Sequence, residues 1–267
     1  MAKIYNDKYY TDTELASYIV NKTNNIIGEH NIYSWIEPSA GNGAFIEPLK
    51  QTMKPFKMYD IEPEHSEIIK SDYLNENFDY TKGVCVIGNP PYGRCLSLAQ
   101  KFFKHSIEFA DYIAFILPIS QLNNTNSFYE FDLIYSEDLG EKYYSGTKLH
   151  CCFNIYKRPK YGYNSKPVNK LKDVTIIRQD SKIYDSIVDY DIRFCYWGDS
   201  CAGKVILDNK KYSGEYKIII NNNEFKESII ELFNNYDWKK EIDKISMRRI
   251  KQWQIINVLK SNIIGIT

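Results

Sequence analysis

Residues 32–45 read IYSWIEPSAGNGAF, an apolar run that leads into a turn with two glycines. The run from Ile32 to Ile36 predicts a short β-strand, and the residues after Gly43 predict the start of a helix. Glycines let a backbone pass close to a ligand, and open α/β sheets bind nucleosides at the carboxyl ends of their strands. The turn lacks a third glycine and a P-loop lysine, so a nucleoside suits it better than a phosphate chain. For this motif taken alone, a tight turn without a ligand is the alternative.

The N-terminal part around this turn alternates apolar runs with helical stretches. Such alternation predicts an α/β fold with a doubly wound, mostly parallel sheet. A helix over 11–23, capped by Thr11 or Thr13, precedes the first strand. The other predicted elements are strands over 56–61, 84–87, 112–117 and 150–156 and a helix over 96–109.

The composition of the chain changes near residue 158, which predicts a second domain. Residues 158–167 are polar and contain prolines and a glycine, which is typical of a linker. The elements predicted beyond it are strands over 174–178 and 216–220 and helices over 224–233 and 246–260. We therefore expect a large domain over 1–160 and a small C-terminal α+β domain over 161–267.

Charge is distributed unevenly although the formal net charge is +0. Residues 1–156 contain 13 Lys and Arg against 20 Asp and Glu, whereas residues 157–267 contain 21 against 14. A basic C-terminal part fits a partner with a phosphate backbone. Two ordinary solvated surfaces explain the same numbers, so both interpretations stay open.

The composition indicates a globular protein without a membrane span. Hydrophobic residues make up 43% and charged residues 25% of the chain. Residues 1–10 are polar, and there is no run of about 18 apolar residues. The six cysteines form no C-x-x-C pair. We therefore expect reduced thiols, no metal site, and a location in the bacterial cytoplasm or, for a viral protein, in that of its host.

A second motif, Asn89-Pro90-Pro91-Tyr92, directly follows the apolar run 84–88. Its two prolines stiffen the backbone and remove two N–H donors. The Asn89 side-chain oxygen and the Pro90 carbonyl then form a pair of acceptors that suits an –NH₂ group. Accepting both hydrogens of a conjugated amine frees the nitrogen lone pair for attack on a methyl sulfonium, and Tyr92 offers a flat face to a planar substrate. A loop that only ends the strand is the alternative.

The order of these motifs, followed by a basic C-terminal part, resembles the amino-group DNA methyltransferases of the gamma arrangement. The resemblance covers roughly residues 8–158 and implies a Rossmann-like methyltransferase fold with S-adenosylmethionine as cofactor. It implies that Thr11 contacts the methionine part, Asp60 the ribose and Asp72 the adenine amino group of the cofactor. It also implies that Tyr73 or Leu74 packs on the adenine ring. The residues it assigns to catalysis are Asn89, Pro90, Pro91 and Tyr92, and those it assigns to the substrate base are Tyr92 and Phe153. The residues it assigns to the cofactor are Thr11, Glu37, Pro38, Ala40, Gly41, Gly43, Asp60, Ile61, Asp72, Tyr73 and Asn89.

The resemblance implies methylation of adenine N6 on a flipped-out base of double-stranded DNA. The C-terminal domain would bind the DNA and recognise the target, and a restriction endonuclease would be the partner if the chain belongs to a restriction system. The alternatives are structured RNA, the glutamine side chain of a protein, and a degenerate copy that only binds nucleic acid or protein. Covalent catalysis is disfavoured because the catalytic loop carries Asn89 where a cytosine C5 enzyme needs a cysteine.

Overall fold

The computed structural model describes residues 9–144, 146–167, 169–198, 200–242 and 249–267. The chain divides into two compact units, Met1–Pro167 and Val168–Thr267. Residues 246–248, the expected start of the last helix, lie outside the described residues.

The first unit is built on one sheet. Its strands are β1 Ser34–Glu37, β2 Phe56–Asp60, β3 Ile69–Lys70, β4 Val84–Gly88, β5 Tyr112–Pro118, β6 Asp132–Tyr144 and β7 Thr147–Lys157. Their order is β3-β2-β1-β4-β5-β7-β6, in which the first five strands are mutually parallel and β7 runs antiparallel to β5 and β6. Every residue of β4 and β5 is buried, as expected for parallel strands covered on both faces. The predicted α/β class with a mostly parallel sheet is confirmed.

The helices of this unit lie close to the predicted positions. They are α1 Thr13–Ile27, α2 Ile46–Gln51 and α3 Ser97–Phe109. The predicted cap of α1 is wrong, because Asp12 is the N-cap and its Oδ1 accepts a hydrogen bond from Leu15 N–H at 2.7 Å. A carboxylate at this position accepts an orphan N–H and also interacts favourably with the positive end of the helix dipole.

The long edge strand β6 was not predicted from the sequence. Its side chains are mostly half-buried or exposed rather than alternating, and its pairing with β7 is interrupted by two register shifts. Because bulges change which face a residue points to, such a strand leaves no clear period-two pattern in the sequence.

The polarity of the sheet places three strand ends side by side. Strand β1 pairs in parallel with β2 on one side and with β4 on the other. The order of the strands reverses at β1, which is the position where open α/β sheets bind ligands beyond the carboxyl ends. Glu37, Asp60 and Asn89 therefore lie at one edge of the sheet.

The boundary between the units lies later in the chain than the predicted 160/161. The Arg158 side chain caps the C-terminal end of α3, since its Nε donates to Ala110 O at 3.0 Å and its guanidinium also donates to Ile107 O. Tyr163 donates to the same Ile107 carbonyl at 3.0 Å, and Asn164 N–H donates to Glu130 O at 3.0 Å. These bonds hold the start of the expected linker on the first unit.

The second unit is a small α+β domain. Its strands are β8 Val174–Arg178, β9 Ile192–Cys195, β10 Lys204–Val205 and β11 Glu215–Ile220, and its helices are α4 Lys226–Asn235 and α5 Gln252–Asn262. The strands form an antiparallel sheet in the order β10-β9-β11-β8. Its apolar core contains Phe194 and Ile218 from the sheet together with Phe233 and Ile255 from the helices.

The cysteines divide into two groups. Cys85, Cys95, Cys151 and Cys152 are thiols, as expected. The expectation is wrong for Cys195 and Cys201, which the turn between β9 and β10 brings together as a disulfide pair with their Cα atoms 5.8 Å apart.

Among the described residues, the longest apolar stretches of helix are too short to cross a membrane.

A buried carboxylate organises the other face of the second sheet. Glu215 is 1% exposed and accepts hydrogen bonds from Tyr184 at 2.7 Å, from Tyr212 N–H at 2.6 Å and from Arg193 at 2.8 Å. Burial by itself raises the pKa of Glu215, but these hydrogen bonds outweigh it and hold the pKa below its usual value. The folded unit therefore stabilises the ionised form of Glu215.

We expect this carboxylate to make the second unit sensitive to acid. Because the folded pKa is lowered, its contribution to stability is present above the ordinary pKa of about 4.3 and is lost as the pH falls through the lower folded value. Glu215→Gln should destabilise the unit at pH 7 and flatten its stability between about pH 5 and pH 3. Trp238, which packs on Phe194 and Phe233, reports the unfolding by fluorescence. Glu231→Gln on the exposed side of α4 is the control, and equal acid profiles for both variants would contradict the assignment.

Candidate nucleoside and amine site

A cavity of about 330 Å³ lies at the carboxyl ends of β1, β2 and β4. It brings together eight of the residues predicted for the site: Pro38, Gly41, Asp60, Ile61, Asp72, Tyr73, Asn89 and Pro91. It also contains residues that sequence reasoning missed, among them Tyr10, Ser39, Leu98 and Phe102. The two segments singled out in the sequence, the glycine turn and the Asn-Pro-Pro-Tyr motif, therefore face one space.

The glycine turn is held in place by the end of the neighbouring strand. Gly41 N–H donates to Asp60 Oδ2 at 2.7 Å, and Ala40 N–H donates to Tyr59 O at 2.9 Å. Gly41 has a φ of +50°, and a Cβ there would lie 2.9 Å from the ring of Tyr10. A side chain at this position would collide with that ring and strain the backbone, which explains the glycine.

Two carboxylates face the cavity with spare acceptor capacity. Asp60 Oδ1 accepts from Glu62 N–H at 2.8 Å, so each Asp60 oxygen receives one backbone donor. Asp72 accepts from Leu74 N–H at 3.0 Å and from Asn75 Nδ2 at 3.1 Å. A carboxylate has about four acceptor positions, so each group can accept further hydrogen bonds from a ligand.

One part of the cavity wall is apolar. Ile61 is 59% exposed at the end of β2, and Leu98 and Phe102 lie one helical turn apart on α3. The sequence signal for the helical pair was their i, i+4 spacing shortly after the Asn-Pro-Pro-Tyr motif. Two carboxylates with spare acceptor positions beside an apolar surface match a nucleoside, whose ribose and amino group donate hydrogen bonds and whose base is flat.

Tyr73 is less available to a ligand ring than predicted. Its side chain is 1% exposed, its hydroxyl shares a 2.7 Å hydrogen bond with Ser106, and its ring packs edge-on against His105 at 4.8 Å. The ring belongs to the core behind the cavity, and the adjacent half-buried Leu74 is the better candidate for contact with a base.

Glu37 lies behind the cavity wall rather than in it. The side chain is 2% exposed, its Cγ would lie 3.2 Å from a Cβ on Gly88, and its Oε2 has no hydrogen-bond partner. Burial and then the charge of Asp60 raise the pKa of Glu37 well above its usual value. Because the pKa is raised, the uncharged carboxyl is the favoured form, and its unpartnered oxygen fits a polar group of a ligand.

The Asn-Pro-Pro-Tyr motif is held by residues distant in sequence. Asn89 Nδ2 donates to Tyr9 O at 3.0 Å and to Thr11 Oγ1 at 3.3 Å, and Ser39 Oγ donates to Asn89 O at 3.3 Å. Pro90 is buried and Pro91 lines the cavity. Thr11 itself is 7% exposed and does not line the cavity.

Tyr92 is packed inward. It is 2% exposed, its hydroxyl donates to Asn89 Oδ1 at 3.0 Å, and its ring stacks with Tyr9 at 6.0 Å. Burial raises the pKa of Tyr92 well above its usual value, so the hydroxyl stays a donor. The face predicted for a planar substrate is covered in this conformation.

Three other predicted residues are not brought to the cavity. Phe153 is fully buried on β7, where it is paired with Ile116 of β5. Ala40 and Gly43 form the far side of the glycine turn, where Gly43 N–H donates to Ala40 O at 2.8 Å. Ala40 and Gly43 can act on a ligand only through the shape of the turn.

No family model matches the chain. Two curated relatives are similar over a limited stretch: Type II methyltransferases M.HincII and M.HindII, both from Haemophilus influenzae. Each is 28% identical over 102 residues, which is 37% of this chain and 19% of the relative. The matched stretch therefore spans about a fifth of the length of these relatives.

Solved structures similar to the chain include several methyltransferases. A putative class I S-adenosylmethionine-dependent methyltransferase from Listeria monocytogenes has a TM-score of 0.47 at 11% identity and covers 63% of this chain and 66% of its own. A putative RNA methyltransferase from Pyrococcus horikoshii has a TM-score of 0.47 at 14% identity and covers 59% and 91%.

The geometry predicts that Asp60 controls nucleoside affinity. In Asp60→Asn the amide NH₂ would face either Gly41 N–H or Glu62 N–H, because both oxygens of Asp60 now accept from the backbone. We expect the Kd for S-adenosylmethionine, measured by titration calorimetry, to rise about 30-fold, or about 2 kcal/mol. Asp79→Asn at an exposed position is the matched control. Binding by Asp60→Asn within about threefold of the wild type would be incompatible with this role.

Proposed function

We propose that the chain is an S-adenosylmethionine-dependent methyltransferase that methylates an exocyclic amino group, with adenine N6 of double-stranded DNA as the target. The observation that carries the proposal is the position of Asn89. Its side chain lines the same cavity as Asp60 and Asp72, so an acceptor for an amine lies beside a compartment suited to a nucleoside.

The residues present fit the proposed cofactor. Asp60 would accept from the ribose hydroxyls and Asp72 from the adenine amino group, while Ile61 and Phe102 would enclose the base. The unpartnered Oε2 of Glu37 leaves a buried polar group beside the cavity wall. When bound, S-adenosylmethionine supplies a methyl group on a positively charged sulfur.

The amine is activated by acceptors rather than by a strong base. Asn89 Oδ1 and the Pro90 carbonyl accept the two hydrogens of the –NH₂ group, which withdraws the nitrogen lone pair from the ring and directs it at the methyl carbon. The bound cofactor would supply the methyl carbon to the nitrogen lone pair, and its sulfur would leave as a neutral thioether with the electron pair of the carbon–sulfur bond. The nitrogen then releases one proton to water, so no side chain has to change its charge.

Two features support DNA as the substrate. The matched relatives carry the name of Type II methyltransferases, and the positive charge is concentrated after residue 156. Lys157, Lys160 and Lys166 in this region are exposed, and Tyr161 is 89% exposed. Lysines near an exposed ring suit a phosphate backbone and its bases. Removing a base from the duplex costs a few kcal/mol, which such contacts can offset.

Methyl transfer from labelled S-adenosylmethionine tests the proposal. Unmethylated duplex DNA, structured RNA and a release-factor-like protein are compared as acceptors. We expect label on DNA, and a decrease of about 100-fold or more in Asn89→Ala because an acceptor for the amine is lost. Asn77→Asp, in an exposed loop, should keep wild-type activity. Label on RNA alone or on protein alone would contradict DNA as the substrate. No transfer to any acceptor would refute the proposal as a whole.

A further inference from the structure

The Asn89 amide is hydrogen-bonded at both ends. Its Nδ2 donates to Tyr9 O at 3.0 Å and to Thr11 Oγ1 at 3.3 Å, and its Oδ1 accepts from the Tyr92 hydroxyl at 3.0 Å. Asn89 and Thr11 are separated by 78 residues in the chain. The segment Tyr9–Thr11, just before helix α1, therefore packs directly on the motif that follows β4.

These partners allow only one orientation of the amide. A backbone carbonyl can accept a hydrogen bond but cannot donate one, so Tyr9 O requires the NH₂ group of Asn89 opposite it. A flipped amide would place Oδ1 against that carbonyl and Nδ2 against the Tyr92 hydroxyl. Two oxygens without a hydrogen between them repel each other in a partly buried site.

The orientation determines where the free acceptor points. An amide oxygen has two lone pairs, and Tyr92 uses one of them. The second is left for the substrate amine only while Nδ2 remains on the Tyr9–Thr11 segment. An aspartate in place of Asn89 has the same shape and more acceptors, yet it would place an ionised oxygen against Tyr9 O.

We propose that Thr11, together with the Tyr9 carbonyl, is a positioning residue that fixes the Asn89 side chain with Oδ1 toward the substrate, so that this site requires an amide and does not tolerate a carboxylate. The catalytic consequence rests on the proposed amine methylation, whereas the requirement for an amide rests on the hydrogen bonds alone. This role differs from a direct contact of Thr11 with the cofactor.

Thr11→Val removes the acceptor with little change of shape, and Thr11→Ser keeps it. We expect Thr11→Val to lower kcat about tenfold while the Kd for S-adenosylmethionine stays within about twofold, and Thr11→Ser to keep at least about a third of wild-type kcat. A raised Kd with unchanged kcat in Thr11→Val would assign Thr11 to the cofactor and overturn the proposal.

Asn89→Asp tests the requirement for an amide. We expect it to lower kcat about 100-fold or more and to lower the melting temperature by about 5 °C, with no shift in the exposed control Asn77→Asp. An Asn89→Asp variant with wild-type kcat or wild-type melting temperature would contradict the proposal.

The melting temperatures of the variants test this inference independently of the proposed function. If the wild-type protein methylates no nucleic acid, the proposed function fails, but the melting temperatures still decide the inference. A melting temperature lowered in Asn89→Asp and unchanged in Asn77→Asp would then support the fixed amide, and equal values would refute it.

Discussion

The hydrogen bond from Gly41 N–H to Asp60 Oδ2, at 2.7 Å, joins the glycine turn after β1 to the end of β2. Together with the parallel pairing of β1 and β2, it holds the turn against the end of β2 at one side of the cavity. The other Asp60 oxygen is held by Glu62 N–H, so the carboxylate cannot rotate away. Because the parallel sheet places β4 on the other side of β1, the Asn-Pro-Pro-Tyr motif faces the same space.

The sequence was sufficient to predict this arrangement where side chains act locally. Glycines in a turn, an acid at the end of the next strand and two prolines after a buried strand each have a physical reason that depends on few neighbours. The parallel sheet then brings them together without further information. For the same reason the positions of Asp60 and Asn89 at one cavity were predictable from their local sequence, whereas Asp72 was expected there only from the family resemblance.

The features that the sequence did not predict depend on packing between segments that are distant in the chain. The inward position of Tyr92 follows from its hydroxyl bonding to Asn89 and from contact with Tyr9, which lies 83 positions earlier in the chain. Phe153 is fully buried because β7 lies between β5 and β6, and β6 was not recognisable from its polar, bulged sequence. The sequence predicts Arg158 to be part of a linker, but its side chain caps the C-terminal end of helix α3. The first unit therefore extends beyond the predicted boundary.

The central claim is that the cavity delivers a methyl group to an exocyclic amine. Its most direct measurement is the identity of the methylated nucleoside, obtained by incubating unmethylated DNA with the protein and S-adenosylmethionine, digesting it to nucleosides and separating them by mass spectrometry. The account predicts N6-methyldeoxyadenosine. A methyl group on a ring carbon, as in 5-methyldeoxycytidine, would contradict it, because neither Asn89 nor the Pro90 carbonyl can activate carbon as a nucleophile.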